Sequence, residues 1–299
     1  MSAKTQFFIG GDDRSGTTLL SLMFDSHRDI AAGPEIDFTE PTDLGSSVIA
    51  CCDLLIKNDP RVHGDGVATA NPAFHLPVQF AKQCLRYGVT YECLQELVRE
   101  CMGQTHGNLV NFRDRCTLLD AIGDARLRAT GKTVWAIKIQ SRLGEAHRFS
   151  EIWSTAKFIH MVRDGRDVAA SQLRGNRGWG YTTIEEAAHG WAGLMEAIHS
   201  SSSREQILDV RYEDLVSSPV ATMQRLLTFL NVPWDEGVLQ HQTQDHTLLK
   251  HPFRHPSAEA VRRPVNSEAV GRYIKDLSGE ERRRFEEIAA RWLEEYGYI

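Results

Sequence analysis

The sequence lacks any apolar run of about 18 residues, the length needed to span a membrane as a helix, so it offers no transmembrane segment. It also lacks a positive balance: 34 Lys and Arg stand against 40 Asp and Glu, a formal charge of −6. That leaves no basic footprint for nucleic acid, and any affinity for anions must come from local turns. The six cysteines lie between Cys51 and Cys116 with no C-x-x-C pair, which removes zinc-ribbon and thioredoxin-like readings. No signal peptide is read, because the N-terminus passes straight into an apolar strand pattern. The cysteines are therefore expected as reduced, buried small apolar residues, and the location as cytoplasmic. Internal repeats and low-complexity tracts are missing too.

What is present begins at once. The run Phe7-Phe8-Ile9 leads through Gly10-Gly11-Asp12-Asp13-Arg14-Ser15-Gly16 into the helical pattern of Thr17-Thr18-Leu19-Leu20. Gly11 and Gly16 have P-loop spacing, but Thr17 stands where the phosphate-binding lysine would be. Such a turn offers backbone N–H groups and the positive end of a helix dipole to an anion. Arg14 adds a planar guanidinium in place of the missing ammonium.

A second strand–turn–helix signal follows at Ala156 to Val162 and Arg163-Asp164-Gly165-Arg166, with Ser171 one helical stretch later. Arg163 falls at the carboxyl end of its strand, where open α/β sheets bind ligands. Two such turns imply a ligand with two separated anionic groups. Strands are predicted over 5–10, 133–139, 156–162 and 206–211, each followed by a turn and a helical stretch. The fold class read from this order is α/β, a P-loop-like parallel sheet flanked by helices. Helices are expected over 18–27, 184–200, 220–230 and 278–296, the last opened by a Ser278-x-x-Glu281 capping box. Residues 1–299 read as one domain, with 42–131 a mostly helical insertion over the acceptor pocket.

Taken together, these motifs resemble the sulfotransferases that use 3′-phosphoadenosine-5′-phosphosulfate (PAPS). Arg14 to Thr18 is similar to the family's 5′-phosphosulfate loop and Arg163 to Ser171 to its 3′-phosphate motif. Asp209-Val210-Arg211-Tyr212-Glu213-Asp214-Leu215-Val216 and Arg263-Pro264-Val265-Asn266 resemble the tyrosylprotein branch and its bacterial relatives. The resemblance covers about 1–41, 132–175 and 205–275. It implies a sulfuryl transfer from PAPS to a hydroxyl, leaving PAP (adenosine 3′,5′-bisphosphate), with no metal. It implies that Ser15, Gly16, Thr17 and Thr18 hold the 5′ end, and Arg163 and Ser171 the 3′-phosphate. Tyr212 would lie near the nucleotide, residues 257–266, with Arg263 and Asn266, would cover it, and Arg272 would stand on the phosphate side. The family arginine four residues after Ser171 is replaced by Gly175, with Arg174 adjacent.

The resemblance also implies the catalytic set. Glu35, 21 positions after Arg14, is the expected general base, Lys138 touches the bridging oxygen, and Ser257 contacts the transferring group. His27 is read as a helix C-terminal residue. His241, His246, His251 and His255 share no ligand spacing that favours a metal.

Two departures bear on partners. Asp12 and Asp13 stand in the anion loop, where the family usually has proline before Arg14. Asp37 and Pro41 replace basic residues that read acidic peptides. The acceptor is therefore expected to be a neutral or cationic small molecule or natural product, with protein tyrosine as the alternative. A homodimer is left open. A P-loop kinase lacks its lysine here, and Asp209 is a weak candidate for its magnesium carboxylate. A PAP-binding pseudoenzyme would not need Glu35, Lys138 and Ser257.

Overall fold

The computed structural model describes residues 5–36, 38, 43–62, 75–174, 180–250 and 258–299. Five strands form one sheet: β1 (Thr5–Gly10), β2 (Ile30–Glu35), β3 (Val134–Gln140), β4 (Lys157–Val162) and β5 (Ile207–Arg211). Their order is β2-β3-β1-β4-β5, and the recorded pairings are parallel. Phe7, Phe8 and Ile9 are wholly buried, and β3 is buried along its whole length. Continuous apolar runs of this kind are what a parallel sheet covered on both faces requires.

The helices are α1 (Thr17–Asp25), α2 (Gly45–Ile56), α3 (His75–Arg86), α4 (Tyr91–Thr105) and α5 (Phe112–Thr130), then α6 (Ala146–Ser150) and α7 (Gly165–Leu173). After these come α8 (Ile184–His199), α9 (Tyr212–Ser217), α10 (Pro219–Leu230), α11 (Ala258–Val261), α12 (Tyr273–Asp276) and α13 (Gly279–Glu295). Their boundaries follow local chemistry. The Thr183 hydroxyl accepts the Glu186 N–H at the start of α8, and Gly131 (φ 70°) closes α5. The capping box at Ser278 forms in both directions: Ser278 Oγ accepts the Glu281 N–H, and Glu281 Oε2 accepts the Ser278 N–H.

The chain divides into two compact units. The first comprises Met1–Gln6, Ser21–Lys138 and Glu236–Arg263. It contains α2 to α5, so the described part of 42–131 carries four helices. Gly123 is required there, since a Cβ would fall 2.6 Å from the Trp135 ring. The second unit comprises Phe7–Leu20, Ile139–Asp235 and Pro264–Ile299. Its core includes Phe8, whose ring meets Phe149 at 5.3 Å, Trp153 at 5.2 Å and Phe158 at 5.5 Å. Burial of such a side chain contributes about 2–3 kcal/mol. All six cysteines are free thiols, five of them buried, and burial pushes Cys51 up to about 11 and Cys52 up to about 12.

β1 hands the chain to one side of the sheet and β4 hands it to the other. The switch point of the topology thus falls at the carboxyl ends of β1 and β4, both in the second unit.

Candidate active site

The turn after β1 is shaped for an anion. Gly11 has φ 144°, and a Cβ there would fall 2.4 Å from the Met161 carbonyl oxygen. Gly16 has φ 104°, and a Cβ would strike the Tyr212 ring at 2.5 Å. Arg14 itself takes φ 72°, a conformation that a non-glycine residue adopts only when its surroundings hold it. Ser15 Oγ is buried and has no hydrogen-bond partner. An orphaned buried hydroxyl beside the start of α1 is what an absent oxyanion would satisfy.

The turn after β4 is joined to this loop by its side chains. The Arg163 guanidinium donates from Nη1 to the Arg14 carbonyl at 3.0 Å and from Nη2 to the Ala269 carbonyl. It lies 4.8 Å from the centre of the Tyr212 ring and 3.4 Å from Asp167 Oδ2. Arg14 Nε donates to Ser171 Oγ at 3.1 Å, which leaves the Ser171 O–H available as a donor. Five sequence-predicted donor residues, Arg14, Ser15, Arg163, Ser171 and Tyr212, are therefore brought together within the second unit. The Thr17 hydroxyl donates to Gln140 Oε1 at 3.0 Å, so the backbone N–H is what Thr17 offers an anion.

The segment after Pro264 is anchored to the same turn. Asp167 accepts the Gly271 N–H at 2.8 Å and the Tyr273 N–H at 2.9 Å. Arg272 and Arg174 share Asp276, at 2.7 Å and 2.6 Å, so two guanidiniums meet one carboxylate. Arg174 thereby supplies a cation close in sequence to the missing family arginine. Asn266 donates to the Pro264 carbonyl, and Arg263 is exposed in the first unit. Gly175, Ser257, Asp37, Pro41, His251 and His255 lie outside the described residues.

Sequence reasoning missed the residues that support these turns. Gln140, Gln172 and Tyr181 surround Asp12 and Asp13, answering the question those carboxylates posed. Tyr298 donates to Glu213 Oε2 at 2.9 Å and accepts from Arg166 Nη2 at 2.9 Å through its carbonyl. Glu213 Oε1 in turn accepts the Asp164 N–H at 3.1 Å. Only the recurrence of polar residues beside recognised motifs signalled either group.

Asp12 is buried, and desolvation, followed by the charge of Asp13, pushes its carboxyl up to about 7. A carboxyl raised on folding stabilises the protein fully below the unfolded value of about 4, and that stabilisation is lost as pH rises towards 7. Asp12→Asn is therefore expected to gain stability over wild type between pH 5 and pH 8, by about 2 kcal/mol. Denaturant titrations at both pH values measure this, and an equal gap at the two would refute it.

In the first unit, Glu35 and Lys138 are register partners at the carboxyl ends of β2 and β3. A bulge between Ala32 and Glu35 sets this pairing, at Gly33 and at Pro34, which has no N–H for a ladder. Ser21 Oγ donates to the Gly33 carbonyl at 2.7 Å and fixes the bulge from α1. Lys138 is only 3% exposed, and Glu35 is half-buried. Glu35 thus stands at the end of a strand that the sequence pattern does not predict. Arg86, which the sequence did not single out, donates twice to the Leu248 carbonyl, at 2.9 and 2.7 Å. Burial lowers its guanidinium to about 10, and the charge of Glu35 opposes that shift. Glu35 therefore lies within electrostatic reach of a buried cation.

Two of the histidines have structural partners: His246 Nδ1 meets Asp25 Oδ2 at 2.7 Å, and His27 Nδ1 accepts the Asp29 N–H at 2.9 Å, closing the turn after α1.

A strand–glycine turn–helix at the switch point of a parallel sheet, without the lysine of an ATP-binding loop, defines a protein of the P-loop-like α/β class. The profile of the Sulfotransferase family matches residues 6–236, and the chain belongs to that family. The protein-tyrosine sulfotransferase of Drosophila melanogaster is 24% identical over 297 residues, which cover 94% of this chain and 49% of the relative. Protein-tyrosine sulfotransferase 1 of Danio rerio is 26% identical over 279 residues, covering 89% and 65%. The chain thus spans about half to two thirds of the length of these relatives. Among solved structures, the sulfotransferase domain of the Synechococcus PCC 7002 olefin synthase shares the fold, with TM-score 0.61, 19% identity and coverage of 96% and 94%. The sulfotransferase domain from the curacin biosynthetic pathway does so with TM-score 0.53 at 16% identity, covering 96% and 97%.

Proposed function

We propose that this protein is a PAPS-dependent sulfotransferase acting on a hydroxyl acceptor. The observation that carries the reading is the direct wiring of the two anion turns, Arg163 to the Arg14 carbonyl and Arg14 to Ser171. A donor with phosphates at its 3′ and 5′ ends matches two such turns. The orphaned Ser15 hydroxyl and the backbone N–H groups of Gly16, Thr17 and Thr18 take the 5′ end, while Arg163 and Ser171 take the 3′-phosphate. Arg263, Asn266 and Arg272 keep the donor roles that the resemblance implies.

In the reaction, the acceptor oxygen forms a bond to sulfur as the sulfur–oxygen bond to the 5′-phosphate breaks. Glu35 takes the proton from the acceptor hydroxyl. Lys138 stabilises the charge that develops on the bridging oxygen, which PAP carries away. Ser257 is assigned to the transferring group by resemblance.

For the acceptor, the replacement of basic residues by Asp37 and Pro41 favours a neutral or cationic small molecule. Protein tyrosine is the second reading, favoured by the names of the curated relatives. Incubation with PAPS and either an acidic tyrosine peptide or a panel of phenols and sugar hydroxyls, read as product mass and released PAP, separates them. Faster turnover of phenols or sugars is expected. Preference for the peptide selects the second reading, and no PAP release with any acceptor counts against an active enzyme.

A further inference from the structure

The anion loop of the second unit opens with two carboxylates, Asp12 and Asp13, immediately before Arg14. Bare charges there would repel a phosphosulfate. Each is met instead by a glutamine amide. Gln140, the last residue of β3, donates from Nε2 to Asp13 Oδ1 at 2.6 Å. Its Oε1 accepts from Thr17 Oγ1 at 3.0 Å, and its backbone carbonyl accepts the Gly11 N–H at 3.1 Å. Gln140 has φ 46°, a left-handed conformation that places three contacts on one short loop. Gln172, on α7, donates from Nε2 to Asp12 Oδ1 at 3.2 Å and to the Asp13 carbonyl at 3.1 Å. Its Oε1 accepts the Tyr181 N–H at 3.2 Å, and the Tyr181 hydroxyl donates to Asp12 Oδ2 at 3.3 Å.

The amide suits this task. It donates to a carboxylate and accepts from Thr17 or Tyr181 at the same time, whereas Lys and Arg cannot accept and Glu would add a third negative charge. Gln172 also follows Ser171, the residue that receives Arg14. One turn of α7 therefore fixes the loop at both its acidic and its basic residues.

We infer that Gln140 and Gln172 are positioning residues of the donor site, each clamping one carboxylate of the loop so that its charge is held off the bound phosphosulfate. This rests on the PAPS reading above. Neither glutamine needs to touch the donor; each acts through Asp13 or Asp12.

Calorimetric titration with adenosine 3′,5′-bisphosphate tests the inference on wild type, Gln172→Ala, Gln140→Ala and the doubles Asp12→Asn/Gln172→Ala and Asp13→Asn/Gln140→Ala. Each single variant is expected to lose about tenfold or more in affinity. Each double should recover to within about threefold of wild type, because the carboxylate that the missing glutamine would hold off is itself neutralised. A merely structural glutamine would not be rescued by neutralising its aspartate. Should either alanine variant fail to fold by circular dichroism, Gln→Met at the same position keeps the volume and replaces it. Singles that bind like wild type, or doubles that stay as weak as the singles, overturn the inference and leave the donor reading intact. A wild type that does not bind the bisphosphate overturns both.

Discussion

Arg163→Ala is expected to lose about a hundredfold in affinity for adenosine 3′,5′-bisphosphate, on the order of 3 kcal/mol. The loss has two sources. On the proposed donor reading the guanidinium supplies a charge-assisted contact to the 3′-phosphate, and in the structure it also holds the Arg14 carbonyl, the Ala269 carbonyl and Asp167. Without it the loop carrying Arg14 loses its brace, so the 5′ end suffers along with the 3′ end. Arg163→Lys keeps the charge but not the planar fork, and should fall between the two, near tenfold. Calorimetry on the three proteins gives the order directly. Equal binding by wild type and Arg163→Ala would remove the turn after β4 from the donor site.

Glu35→Gln is expected to lower kcat by about a thousandfold while bisphosphate affinity stays within about threefold of wild type. The amide keeps the size of the carboxylate and its place on β2 but cannot take a proton. The donor turns, in the second unit, contain no part of Glu35. A fall in kcat without a change in binding is the signature of a group used only in the chemical step. If Glu35→Gln turns over at the wild-type rate, the base is another residue.

Much of this was legible in the sequence because it is carried by local patterns. Phe7-Phe8-Ile9 before a glycine turn announces a buried strand, and Arg163 after Val162 announces a strand-end arginine. Caps such as Ser278 with Glu281 are short-range chemistry and appear where expected. β2 was not legible. Ile30-Ala31-Ala32-Gly33-Pro34-Glu35 carries a glycine, a proline and small residues, a turn-like composition, and it forms a strand by pairing with β3. Nothing in that composition announces that Glu35 ends a bulged strand. Gln140 and Gln172 were illegible for a different reason. A glutamine carries no motif, and its partners Asp13 and Asp12 lie 127 and 160 positions away in the chain. The same distance hides Arg86, whose bonds to Leu248 span 162 positions.

The carboxylates of the anion loop show how a departure from a family pattern is compensated elsewhere in the chain. Asp12 is buried under Gln172 and Tyr181, and Asp13 is tied to Gln140. Each contact satisfies a buried polar group that would otherwise be costly. The cost remains visible in Asp12, whose carboxyl is pushed up to about 7 by burial and by the charge of Asp13 despite three hydrogen bonds that lower it.

The measurement that bears most directly on the central claim is a calorimetric titration of the wild-type protein with adenosine 3′,5′-bisphosphate, run beside ATP with magnesium. Saturable binding of the bisphosphate and weak binding of ATP are expected, since Thr17 stands where an ATP-binding loop has lysine. Tight ATP binding with none for the bisphosphate would contradict the PAPS reading and point to a phosphotransferase instead.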